Sequence, residues 1–208
     1  MDESLFTGLL DAQVRHRADP DSFSIPRSEV RRSLVRGSLV KLLFGVGPGD
    51  PPSAERMWVE VTAVQGERYI GRLANEPVAI TDLRPGHELA FGPEHVAAIW
   101  RETDYEPKPE QFAIVSSRTW QGDAKPSRAV RMEAPDAAFS GWMVFAADDP
   151  VRPPDDLIGF EAVSHQALTG RFRSFDSIED EPPGSSWRWD EAELEWVQDV
   201  QSLRRTAG

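Results

Sequence analysis

The sequence predicts an α+β protein built from two small β-rich domains, and three observations carry that reading. Trp58, Glu60 and Thr62 alternate with Val59, Val61 and Val64, and Tyr69, Gly71 and Leu73 alternate with Ile70; the two runs are joined by Gln65-Gly66-Glu67, a hairpin signature. A Pro- and acid-rich stretch, Arg101 to Glu110, then interrupts the pattern before apolar runs restart at Phe112. Finally, 208 residues with seven Trp, 17 Pro and 15 Gly supply core-forming side chains along the whole length, together with many turns. That suits two cores of about 100 residues each. The expected division is 1–104, a bent sheet or small barrel with a leading helix, and 105–208, a mixed sheet with short helices.

Each element has a local reason. Leu5, Phe6, Leu9, Leu10 and Val14 have the spacing of an amphipathic helix over Leu5 to Arg17. Ser28 to Leu34 follows Pro26 and reads as a short helix with Ser28 as N-cap. Gly37 turns the chain into the apolar strand Ser38 to Phe44, and the loop Gly45 to Ser53 leads into the hairpin. Further strands are expected at Val78-Ala79-Ile80 and Glu88 to Phe91, with Pro93 to Trp100 as a closing helical turn. The second half offers strands at Phe112 to Ser116, Ala129 to Met132, Trp142 to Ala146 and Ile158 to Val163. A helical turn is expected at Ser164 to Leu168, and Asp148 to Asp156 is a Pro-rich acidic loop. Glu191 to Leu203 suits helix or strand equally. Trp58 and Trp142 lie in the most apolar strand of each half and are expected to be buried.

Composition narrows the chemistry. There is no cysteine, so disulfides, thiolate metal sites and a Cys nucleophile are excluded. Met1-Asp2-Glu3-Ser4 has no basic n-region and no stretch approaches a membrane span, so a cytoplasmic protein without membrane association is expected. His16, His87, His95 and His165 are scattered without HExxH spacing, so no metal site is expected. Gly45-Val46-Gly47-Pro48-Gly49-Asp50 lacks the Lys-Ser or Lys-Thr of a phosphate loop, and Pro48 removes an amide donor. No GxSxG surrounds a serine and no histidine stands at an interpretable spacing from Ser116, Ser117 or Ser185. The expectation is therefore a binding protein, with no catalytic residues, no cofactor and no enzymatic activity.

Net charge is −12 and unevenly placed. Residues 1–105 hold 12 basic and 16 acidic side chains, whereas residues 106–208 hold 11 and 19. Asp176 to Asp199 alone contains nine acids against Arg188. Such a field repels phosphate backbones and attracts basic surfaces, which argues against nucleic acid and for a basic protein partner.

Two resemblances sharpen this reading. Phe23-Ser24-Ile25-Pro26, Arg36 to Leu42, Met57-Trp58-Val59-Glu60-Val61 and Gly71 to Pro77 resemble the bacterial domain-of-unknown-function family twenty-three fourteen over about residues 20–100. Phe112 to Ser116, Val130 to Pro135 and Ser140 to Phe145 resemble the thirty-third immunity-protein family of bacterial polymorphic-toxin systems over about residues 110–200. Phe139 stands where that family usually carries Asp. The second resemblance implies an immunity-like protein that binds and neutralises a cognate toxin. The alternative is a non-catalytic regulatory or scaffold protein that binds another bacterial protein. The expected partner surface combines Glu179, Asp180, Glu181, Glu191, Glu193 and Glu195, which would steer a basic toxin, with Trp187 or Trp189 as its anchor. Oligomeric state is not legible in the sequence.

Overall fold

The computed structural model describes residues 6–20, 22–47, 53–100, 110–150 and 156–200. Of the expected linker only Glu110 is among them, and the expected loops Gly45–Ser53 and Asp148–Asp156 are described in part. The chain divides into two units, Met1–Glu106 and Pro107–Gly208.

Unit 1 is a curled half-barrel of six antiparallel strands: β1 (Phe6–Leu10), β2 (Leu39–Val46), β3 (Ser53–Gln65), β4 (Arg68–Leu73), β5 (Glu88–Phe91) and β6 (Val96–Ile99). Strand β2 pairs with β3 along its length, while its other edge takes β6 at Val40–Leu42 and β1 at Leu43–Val46. The inner face carries Val40, Leu42, Phe44, Met57, Val59, Val61, Tyr69 and Phe91, all at most 1% exposed. Leu43 is also buried, because the helix α1 (Ala12–Ala18) and Phe23 cover that stretch of the outer face. Burial on both faces explains the apolar run Leu42-Leu43-Phe44 of β2, which alternation alone would not produce.

The β3–β4 hairpin forms as read, with Gly66 at φ +62° in its turn. A register shift between Val61 and Ala63 adds one residue to β3. The bulge reconciles the three-residue step from Val61 to Val64 with a shared face, since Val61 opposes Gly71 and Val64 opposes Tyr69.

Several expectations change. Leu5–Arg17 is not one helix: Phe6–Leu10 is strand β1, and Asp11 caps α1 by accepting from the amides of Gln13 (2.7 Å) and Val14 (3.1 Å). The spacing of Phe6 and Leu9 suited a helix, but pairing with β2 and packing on the barrel core outweigh that periodicity. The helix α2 (Ser28–Arg32) has Arg27, not Ser28, at its N-cap, without a side-chain capping bond. Arg31 instead anchors it from a buried position, its Nε donating to the Pro26 carbonyl (2.6 Å) and Nη1 to that of Pro93 (2.9 Å). Val78-Ala79-Ile80 is not a strand. The Glu55 carboxylate accepts from the amides of Val78, Ala79 (3.0 Å) and Ile80 (3.2 Å), fixing a loop that delivers Ile80 and Leu83 to the core. Only Pro93–His95 of the expected closing turn is helical, as a 3-10 turn, before β6 leaves it as a strand.

Trp58 is a further correction. It is half-buried on the outer face of β3, because Met57, Val59 and Val61 take the inward positions and the parity of a strand leaves no alternative. Lys41 Nζ lies 4.4 Å from its ring centroid and Trp100 meets it edge-on at 5.8 Å.

Unit 2 holds a mixed sheet of β7 (Phe112–Ser116), β8 (Arg128–Arg131), β9 (Phe139–Phe145), β10 (Phe160–Ser164), β11 (Ser186–Asp190) and β12 (Glu195–Gln198), in the order β10-β7-β9-β8-β11-β12. β7 and β9 are parallel and the other pairs antiparallel. The helices α3 (Ser117–Gln121) and α4 (His165–Arg171) and a 3-10 turn at Arg173–Ser177 complete the unit. One face buries Val115, Ala129, Trp142, Val144, Leu168, Phe175, Ile178, Trp187 and Trp196; the other gathers Ile114, Met143 and Phe145 with Phe112, Phe139 and Phe160. Glu191 onward resolves as a turn followed by strand, and residues from 201 lie outside the described residues. Gly141, inside β9, sits at φ +84°, and a Cβ there would stand 2.4 Å from the Met132 carbonyl oxygen. No other residue type fits without displacing backbone.

The two tryptophans should respond differently to truncation. Trp142 is 0% exposed, so Trp142→Ala is expected to cost about 3–5 kcal/mol, whereas Trp58→Ala should cost clearly less, because part of its surface is already in water. Urea denaturation of the two variants checks this; equal losses would mean that Trp58 is a core residue. Glu55→Ala removes the acceptor from three amides at once and is expected to cost about 1–3 kcal/mol and to speed amide exchange at Ile80. Parent-like exchange there would show that the loop is held by its apolar side chains alone.

Candidate partner-binding surface

The acidic residues singled out in the sequence lie on two neighbouring segments of unit 2. The first is the strap that follows the 3-10 turn. Phe175 and Ile178, both buried, pin its start beneath the sheet face, with the Phe175 ring 4.8 Å from that of Trp142 and 6.3 Å from that of Trp196. Its backbone is held from β8 and β9. Arg131 Nη1 donates to the carbonyls of Glu179 (2.7 Å) and Glu181 (2.8 Å), and Trp142 Nε1 donates to that of Glu179 (3.0 Å). Backbone bonds from Gly184 N to Arg131 O (2.7 Å) and from Arg131 N to Ser185 O (2.9 Å) return the strap to the sheet.

Three hydrogen bonds, from two donor nitrogens to two carbonyls, hold the backbone. Glu179 Oε2 lies 3.6 Å from His165 Nε2, both side chains being mostly covered. Asp180 is exposed and Glu181 half-buried. Arg131 was not singled out by sequence reasoning, and nothing local could have found it: its partners stand 48 and 50 residues away.

The second segment is the β11–β12 hairpin, where Trp189 opposes Trp196 and Asp190 opposes Glu195. Trp187 and Trp189 do share a face, as alternation in an extended segment requires, but that face is the core-facing one. Trp187 is 1% exposed, so it cannot reach a partner without unfolding. Trp189 is half-buried, its ring 5.5 Å from that of Trp196. The turn is closed by Asp190, which accepts from the amides of Ala192 (3.0 Å) and Glu193 (3.3 Å) and faces Arg188 Nη1 at 3.3 Å. The Glu193 amide first, then that of Ala192, holds the Asp190 carboxyl below the usual carboxylate range. Its contribution to the turn is therefore present above the ordinary carboxylate pKa and disappears as pH falls through the depressed value. Leu194 takes a left-handed conformation, φ +54°, to turn the chain into β12. Glu191 and Glu193 project from this turn, exposed and with no carboxylate partner among the described residues, while Glu195 is half-buried.

Other chemistry-bearing residues do not converge. Among the described residues no three His, Asp or Glu side chains are grouped to hold a metal. Ser116 pairs with Phe160 and Ser164 with Phe112, so Ser116 and the histidine that follows Ser164 occupy opposite ends of one strand pair. At about 3.3 Å per residue their backbones are roughly 13 Å or more apart, beyond nucleophile–base contact. His16 is buried, its Nδ1–H donating to the Phe23 carbonyl (2.7 Å), and His95 Nδ1 accepts from the Gly92 amide (3.1 Å). No helix among the described residues is long and apolar enough to cross a membrane.

No family model matches the chain, and no curated protein or solved structure matches it.

Replacing Arg131 by Met keeps much of its apolar stem and deletes both carbonyl contacts. Because the carbonyls of Glu179 and Glu181 then lose a charged donor, about 1.5–3 kcal/mol should be lost, with the fastest new amide exchange between Ile178 and Gly184. Loss spread evenly over the whole sheet would instead mark Arg131 as an ordinary core residue.

Proposed function

We propose that this protein is a non-catalytic, immunity-like binding protein that neutralises a cognate basic toxin through the acidic end of unit 2. The observation that carries the reading is the β11–β12 turn, which presents Glu191 and Glu193 exposed, with no carboxylate partner among the described residues, on a hairpin whose base is fixed by buried Trp187 and Trp196. The strap acids Glu179, Asp180 and Glu181 lie on a segment anchored against the same core, through Phe175 and Trp196. Rigid presentation lowers the ordering cost of association, and a surplus of one sign steers encounter with the opposite sign. The resemblance of residues 110–200 to an immunity family agrees with this arrangement, and the chain's charge of −12 suits a cationic partner. Trp189, rather than Trp187, is the anchor in this reading, since its ring is partly accessible.

The two groups act on different rate constants. Glu191→Lys with Glu193→Lys should lower the association rate by about tenfold or more at low salt and flatten its salt dependence, leaving stability nearly unchanged. Trp189→Ala should raise the dissociation rate and leave the salt dependence alone. The measurement is binding kinetics against a purified basic toxin domain, at low and high ionic strength. Parent-like kinetics for both folded variants would place the interface elsewhere and leave the acids as a solubilising surface.

A further inference from the structure

Strand β10 ends the unit 2 sheet on the side away from the acidic hairpin, and its outer edge is open. It pairs with β7 in unbroken register, from Phe160↔Ser116 to Ser164↔Phe112. Bonds at the two ends of the pair show which backbone groups face β7. Ser117 N donates to Gly159 O (2.8 Å) and His165 N to Gln111 O (2.7 Å), so the alternate residues Gly159, Glu161, Val163 and His165 face inward. The Phe160 carbonyl, both Ala162 groups and the Ser164 amide therefore point away from the sheet. No hydrogen bond reaches them from the described residues, and Ala162 and Ser164 are exposed.

Open edges are usually blunted by Pro, Lys or a bulge, and β10 has none of the three. Its one charge is Glu161. Gln121 Nε2 donates to one oxygen of that carboxylate (2.9 Å), and the other oxygen has no partner among the described residues. Residues 110–117 and 156–164, the strand pair with its approaches, carry Glu110, Asp156 and Glu161 but no Lys or Arg. The cations of α3 and α4 beside them are engaged: Arg118 faces Asp148 at 3.8 Å, and Arg171 lies 5.0 Å from the Trp120 ring centroid. At the other end of the sheet Glu195 and Asp199 also interact with other groups, which leaves β10 as the edge with an uncommitted carboxylate. Ile158, 75% exposed at the entry to β10, adds apolar surface.

We propose that β10 takes up an added antiparallel strand from a partner protein, a basic extended segment in which Lys or Arg alternates with apolar residues. The backbone sets the register: Ala162 exchanges both of its bonds with one residue of the added strand, and the Phe160 carbonyl and Ser164 amide each take one more. The residue opposite Ala162 joins the row of Met143, Ile114 and Ala162 on one sheet face, so an apolar side chain fits there. Its two neighbours turn to the other face, one directly opposite Glu161 and one diagonal to it, and both are within reach as cations. A second copy of the chain fits less well. Antiparallel self-pairing about Ala162 makes the two Glu161 residues diagonal neighbours and joins two chains of charge −12.

The test uses the full chain and the end-capped peptide Val-Lys-Val-Lys-Val, followed by calorimetry and amide exchange. Saturable binding is expected that weakens with salt and slows exchange of the Ala162 and Ser164 amides, which exchange freely without the peptide. Methylating the central peptide nitrogen removes a ladder bond and obstructs the edge, and should weaken binding by roughly tenfold or more with the protein unaltered. Glu161→Gln should weaken binding and lower its salt dependence, whereas Glu133→Gln, the same change at an exposed acid beyond β8, should have little effect. The proposal is overturned if the peptide does not bind, if its methylated form binds as well, if Glu133→Gln weakens binding as much as Glu161→Gln, or if the newly protected amides lie in β11 and β12. Concentration-dependent dimerisation that protects Ala162 without any peptide would overturn it in favour of a second copy of the chain.

Discussion

The grip of Arg131 and Trp142 on the carbonyls of Glu179 and Glu181 is the interaction on which the arrangement of unit 2 turns. A segment with three successive acids has little apolar content of its own to hold it down, and its mutual repulsion favours extension into water. Tying it by backbone carbonyls, with a guanidinium that cannot lose its charge, fixes the course of the chain. Phe175 and Ile178 supply the apolar hold just before the acids begin. The strap is thus ordered by its neighbours.

The same separation of duties recurs in the β11–β12 hairpin. Trp187 and Trp196 are buried and supply the area, Asp190 closes the turn through the amides of Ala192 and Glu193, and the carboxylates of Glu191 and Glu193 have no bonding partner among the described residues. Carboxylates that do no structural work can be exchanged with little effect on stability. That is what a recognition surface requires and also what a solubilising surface permits.

In unit 1 the organising constraint is the two-sided burial of β2. Its inner face joins the barrel core, while its outer face is covered at Leu43 by α1 and Phe23 and carries half-buried Lys41 against the Trp58 ring of β3. Glu55 illustrates how a polar group can close such a barrel. One carboxylate satisfies three successive amides, letting an irregular loop place Ile80 and Leu83 in the core where a strand was expected.

The sequence by itself determined the α+β class, the β3–β4 hairpin and most strand positions, because alternation and turn chemistry are local and survive any context. It also determined that Trp187 and Trp189 share a face, since strand parity follows from two residues' spacing. Which face that was only the tertiary structure decided, and it decided for the core in the case of Trp187; likewise it turned Trp58 outward by giving the inward positions to Met57, Val59 and Val61. The helix expected at Leu5 became a strand because an edge of β2 was free to pair with it, a fact recorded some 35 residues further along. Arg131 and Glu55 were illegible for the same reason: their partners are backbone groups, which carry no sequence signature, and lie 23 to 50 residues away. Local periodicity is written in the chain, whereas the choice of partner depends on long-range closure, and that exists only once the chain has folded.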